Sequence, residues 1–154
     1  MAWTGPLTLP PEPYFPGQNT RPSETYFAPF KAGVSGGVGE LEECAAFSAG
    51  LSAFGERYYW EAHEFWEPVW MALPQNSVEK LFLRGLIQLA NAGLKARMGK
   101  DGAALRILKL ADAALAEALV RAGDAPILGM SRGAVQGLRR QAIEDSASIV
   151  HYDA

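Results

Sequence analysis

An all-α fold is predicted by three observations on this chain of 154 residues. Apolar residues recur at helical spacing almost without interruption from Glu40 onward. No pair of alternating runs is joined by a hairpin turn, and no repeat or heptad run is present. Seven of the ten prolines and a cluster of glycines (Gly33, Gly36, Gly37, Gly39) fall in the first 39 residues, leaving the remainder free of helix breakers for long stretches. The expected architecture is an antiparallel bundle of four to five helices over residues 40–150, with residues 1–39 as an extended arm.

The arm holds Pro6, Pro10, Pro11, Pro13, Pro16, Pro22 and Pro29, which suit neither a helix nor a central strand. It also carries Trp3, Tyr14, Phe15, Tyr26, Phe27 and Phe30. Disordered segments are poor in aromatics, so the arm is expected to be ordered, over the helical body or over a neighbouring subunit.

The first predicted helix runs from Glu40, with Leu41, Cys44, Phe47, Leu51 and Phe54 on one face. Glu40, Glu42 and Glu43 complement the dipole of its first turn, and Gly55 marks its stop. The second runs from Arg57 to Ala72, with a kink or early end at Pro68, whose nitrogen cannot donate to the carbonyl of Glu64. Asn76 and Glu79 form a candidate capping box for the third helix, which continues to Met98. That helix is apolar nearly all round, as befits the middle of a bundle, with Gly85 permitting close approach. Its one polar stripe is Arg84, Gln88, Asn91 and Lys95. The fourth helix, Asp101 to Ala122, places Asp112 on its apolar face between Leu108 and Leu115. A fifth, Ser131 to Asp145, is capped by Ser131 and exposes Arg132, Arg139 and Arg140 as a solvated basic face.

Composition narrows the function. Charged residues make up 20% and the formal net charge is −3, which argues against general nucleic-acid binding. No run reaches the length of a membrane span. The start, Met-Ala-Trp-Thr-Gly-Pro, is unlike a signal peptide, so a cytoplasmic protein is expected. Cys44, the single cysteine, forms no internal disulfide and reads as a small buried hydrophobe. No Gly-rich phosphate loop, Gly-x-Ser-x-Gly or Cys-x-x-Cys occurs. His151, near the C-terminal end, reads as solvated.

The chemistry concentrates between Tyr58 and Trp70. This stretch holds three of the four tryptophans and His63, one of two histidines. On a helix His63, Glu67 and Trp70 fall at i, i+4 and i+7, on one stripe. Trp60, Trp66 and Trp70 are expected to pack in the core or an interface. With Glu64, Arg84, Gln88, Lys95 and Asp112, the stripe defines a candidate polar cluster open to three readings. In the first it is a buried network: His63 bonds Glu67 or Gln88, the glutamates pair with Arg84 and Lys95, and Asp112 closes the set. In the second it is a pocket for a small anionic ligand, held by Arg84, Lys95 and His63. In the third it is a divalent-metal site of a hydrolase-like enzyme. There His63 and Glu67 are ligands, Glu64, Gln88 or Asp112 is the third, and Glu64 or Glu67 is the general base. Lys95 would repel a cation. A di-iron centre is rejected, because it needs Glu-x-x-His on two helices and position 60 is Trp.

The motif His63-x-x-x-Glu67-x-x-Trp70 resembles the signature of a bacterial and archaeal family, domain of unknown function 309. Trp60-Glu-Ala-His-Glu64, Arg84-Gly-Leu-Ile-Gln-Leu-Ala90, the Pro-rich arm around Pro16-Gly17 and the Gly102-Ala103 entry to the fourth helix are also similar to it. The resemblance covers about residues 14–122. It implies a small all-α bundle and a metal-binding motif, with no established activity. Lys95 stands where a second histidine is common in the family, and Lys100 where an asparagine is common. A ligand-binding or interaction protein is therefore expected, as a homodimer through the arm, with the metal-dependent enzyme as the alternative.

Overall fold

A computed structural model describes residues 6–146 and 149–151. Among them there are seven helices and no strand. They are α1 (Glu24–Ala32), α2 (Val38–Glu42), α3 (Ala45–Gly55), α4 (Tyr59–Ala72), α5 (Val78–Arg97), α6 (Asp101–Ala122) and α7 (Arg132–Ile143). The four long helices fall where helical periodicity placed them. The all-α class is as expected, and the helix count is higher than four to five for two reasons.

First, α1 lies inside the stretch expected to be extended, with Pro29 within it. Burial outweighs the lost backbone bond: Phe27 and Phe30 enter the core and meet Phe65 edge-on at 5.1 and 4.8 Å between centroids. Second, the helix expected from Glu40 to Phe54 is divided at Cys44, whose backbone is extended (φ −72°, ψ 152°). A break of two residues, Glu43 and Cys44, leaves Leu41, Cys44 and Phe47 all buried, so the apolar faces of α2 and α3 still meet the core.

Pro68 does not end α4, which continues to Ala72. The cap of α5 is Ser77, one residue beyond the expected Asn76; its hydroxyl accepts from the Lys80 amide at 3.1 Å. Asn76 instead takes the left-handed conformation (φ 60°) that asparagine tolerates. Ser131 caps α7 as expected.

The arm lies on its own helices. Tyr14 packs edge-on against Trp60 at 4.8 Å, the Tyr26 hydroxyl donates to the Thr8 carbonyl, and the Tyr58 hydroxyl donates to the Pro10 carbonyl. These contacts seat the arm on the helical body, one of the two placements expected for it. Trp3 lies outside the described residues.

In the core, α5 packs most broadly against α6 and also meets α4 and α7. Trp66 is fully buried and donates from Nε1 to the Phe47 carbonyl at 3.1 Å. Helix α7 is tied down by polar contacts: Gln141 donates to the Phe54 carbonyl and to the Tyr59 hydroxyl, and Arg57 pairs with Glu144 and Asp145.

Asp112 does not join the polar cluster. It receives a two-pronged pair from Arg139 of α7, at 2.7 and 2.8 Å. Helix α7 packs against α5, and Arg139 leaves the expected solvated face to reach across to Asp112 on α6. The pair is partly exposed, so Asp112→Ala should lower the unfolding free energy by only about 0.5–1 kcal/mol in urea denaturation.

Candidate functional site

Helix α4 carries its chemistry on two faces. The inward face includes Tyr59, Glu61, Ala62, Phe65, Trp66 and Val69, all buried. Toward solvent stand His63, Glu64, Glu67 and Trp70, from partly buried to exposed. His63 Nε2 and Glu67 Oε2 lie 2.8 Å apart, with side chains 26% and 52% exposed. The expected pair therefore forms, but at the surface. Lys95 and Arg84 take no part in it, and Glu67 is not covered by α5.

Four of the eight predicted residues converge. Glu67 and Trp70 of α4 and Arg84 and Gln88 of α5, with Met71 and Ile87, line a cleft of about 390 Å³ whose walls are mainly apolar. On the other side of Trp70 and Arg84 lies a more polar cavity of about 220 Å³, reached also by Ser77, Lys80, Glu117 and Arg121. Lys80 Nζ sits 4.5 Å above the Trp70 ring, and Arg121 donates to the Asn76 carbonyl at 2.9 Å. Arg84 is exposed and has no hydrogen bond or ion pair to another described residue. Trp70 Nε1 is buried and unpartnered among the described residues.

The remaining predicted residues lie elsewhere for a geometric reason. Lys95 follows Arg84 by eleven residues, about 16 Å along the helix, so one stripe cannot bring both to one small ligand. Asp112 is held by Arg139. Glu64 is partly buried and its carboxyl is raised, mainly by burial, with His63 pulling it down and Glu67 pushing it up.

A family model for a domain of unknown function, DUF309, matches residues 47–107. The match supports the resemblance to this family over that segment. The segment contains α4 and α5 whole, and with them every predicted site residue except Asp112. No curated protein and no solved structure matches the chain.

The metal implied by the family resemblance does not fit these residues. Among the described residues no three His, Cys, Asp or Glu side chains are grouped to hold an ion. His63 and Glu67 supply two donors, and two protein donors rarely make a tight site. Neither Glu64, Gln88 nor Asp112 completes the set.

The residue most out of place in the matched segment is Glu61, to which the sequence assigned no role. It is fully buried. Its Oε2 accepts from the Tyr14 amide of the arm at 2.9 Å, and its Oε1 has no partner among the described residues. Burial raises its carboxyl above the ordinary range. Burial and the Glu61 charge together push the Tyr26 hydroxyl up to about 12. A signal was present: Glu61 precedes Phe65 by four residues, which puts a carboxylate on the apolar stripe of α4. The cations Lys80 and Arg121 were also missed, because they stand outside the stripes that drew attention and meet only through the fold.

Proposed function

We propose that this protein is a non-catalytic binding protein whose site is the cleft between α4 and α5 at Trp70 and Arg84. The observation that carries this reading is the open, mainly apolar cleft into which Glu67, Trp70, Arg84 and Gln88 converge. A purely structural network would cover these groups, yet Glu67 and Arg84 are exposed. A small amphipathic anion suits the site: its apolar body lies against Trp70, Met71 and Ile87, and its charge meets the unpaired Arg84 guanidinium. The volume, about 390 Å³, is within the range of small-molecule sites.

The short connections between α4, α5 and α6 support an antiparallel bundle as the scaffold, with residues 1–39 as an accessory arm to a body over residues 40–150. No helix among the described residues is long and apolar enough to cross a membrane, in keeping with the cytoplasmic reading. A homodimer finds its support in α6, where Leu110 and Val120 are 56% and 80% exposed, since the arm is occupied on its own chain.

The test uses an amphipathic anion, 1-anilinonaphthalene-8-sulfonate, followed by its fluorescence and by quenching of tryptophan. The wild type should bind it saturably at one site. Arg84→Gln should weaken binding roughly tenfold, the loss expected for one charge-assisted hydrogen bond of about 1.5 kcal/mol. Absence of saturable binding, or equal binding by the variant, would remove this reading.

A further inference from the structure

The polar cavity and the apolar cleft are not independent, because Trp70 and Arg84 form a wall of each. We infer that the two are lobes of one bipartite site for an organic phosphate, with the phosphate in the polar lobe and an apolar body in the other. The inference rests on the binding reading above and adds the class of ligand.

Charge selects the group that enters the polar lobe. Lys80, Arg84 and Arg121 stand there against a single carboxylate, Glu117. That carboxylate lies 3.8 Å from Arg121 on the same helix, four residues away, and is exposed. Two cations therefore remain uncompensated in this lobe, which matches the charge of a phosphate monoester near neutral pH, about −1.5 to −2, while Glu67 of the other lobe is turned to His63 at 2.8 Å. A lone carboxylate or sulfonate would satisfy only one of them.

Geometry fixes the cations as a preformed set. Lys80 is held over the Trp70 ring and reaches the Leu73 carbonyl at 3.4 Å. Arg121 is anchored at the Asn76 carbonyl. Arg84 alone is unengaged, and it stands where the lobes meet. A guanidinium there can bond a phosphate oxygen in a two-pronged manner while its flat face lines the apolar lobe. The polar lobe, about 220 Å³, has room for a phosphate group. The second lobe is about 390 Å³ and takes the body, against Ile87 and Met71.

The direct test compares 1-naphthyl phosphate, 1-naphthol and inorganic phosphate by calorimetry on the wild type, Lys80→Gln, Arg121→Gln and Ile87→Asn. Each variant, Lys80→Arg included, is first checked for an unchanged circular dichroism spectrum and cooperative melting. The wild type should bind 1-naphthyl phosphate at least tenfold more tightly than either fragment. Lys80→Gln and Arg121→Gln should each weaken 1-naphthyl phosphate about tenfold and leave 1-naphthol unchanged, with Lys80→Arg restoring the affinity. Ile87→Asn should weaken 1-naphthol and 1-naphthyl phosphate alike. Two outcomes would overturn the bipartite site while the binding reading survives. In one, 1-naphthyl phosphate binds no better than 1-naphthol and ignores Lys80 and Arg121. In the other, inorganic phosphate alone accounts for the affinity. If the sulfonate probe and all three ligands fail to bind, the binding reading falls with the inference.

Discussion

Gly50→Ala should destabilise this protein more than any other single-methyl change, by on the order of 3 kcal/mol. Alanine is ordinarily the better helix former by about 1 kcal/mol, and Gly50 lies inside α3, so propensity alone predicts a gain. Packing reverses the sign. A Cβ at position 50 would stand 2.0 Å from Trp66 Nε1 and 2.3 Å from Trp66 Cδ1. The indole cannot retreat. It is fully buried, tilted against Phe47 and Phe54, and fixed by its bond to the Phe47 carbonyl. Either the indole moves and its N–H loses its acceptor, or α3 separates from α4. Gly85→Ala, where the nearest atom is Leu115 Cγ at 2.6 Å, should cost less, because a leucine can change rotamer more easily than a bonded indole. Urea denaturation of the two variants beside the wild type checks both the sign and the order. A stabilised Gly50→Ala would mean that α3 and α4 do not approach as closely as described.

These close contacts separate what the sequence discloses from what it hides. Helices of eleven residues or more were legible because their apolar faces repeat every three to four residues over several turns, and the tertiary structure reinforces that pattern. Helix α1 was not, since Pro29 and its short length gave local signals that the burial of Phe27 and Phe30 overrides. The pairing of His63 with Glu67 was legible because both sit on one helix at i, i+4. The partner of Asp112 was not: Arg139 lies 27 residues away, and only the docking of α7 brings the two together. The two faces of Trp70 illustrate the same limit. Stripes on α4 and α5 identified Trp70, Arg84 and Gln88, whereas Lys80 and Arg121 enter the same locality through the turn before α5 and through α6. The stripe from Arg84 to Lys95 is a line along the helix and not a point of convergence.

Glu61→Gln should make the protein more stable at pH 8 and no more stable at pH 4, and the change with pH identifies the cause. The native carboxyl holds its proton to higher pH than the unfolded chain, whose value is near the ordinary 4.5. Between those two values the native state binds more protons than the unfolded state, so stability falls as pH rises. Below the unfolded value both states are protonated and no penalty exists. Above the native value the whole penalty is present and the slope ends. Glutamine keeps an acceptor for the Tyr14 amide and carries no charge, so it removes this slope. The gain at pH 8 should be of the order of 1–2 kcal/mol, the cost of a buried polar group left partly unsatisfied. Some slope should remain, because the Glu64 carboxyl is raised in the same direction, and a further fall should follow above pH 10 from the buried Tyr26 hydroxyl, smaller than in the wild type because the Glu61 charge that helps raise it is gone. Glu61→Ala separates the charge from the contact. It removes the acceptor as well, so it should lower stability at pH 4, where Glu61→Gln has no effect, and should speed hydrogen exchange at the Tyr14 amide. Equal behaviour of the two variants at both pH values would show that the arm does not depend on Glu61. A constant gap between the two variants, beside a pH-dependent gap between each of them and the wild type, would show that one buried carboxylate on α4 both holds the arm and limits the stability of the fold.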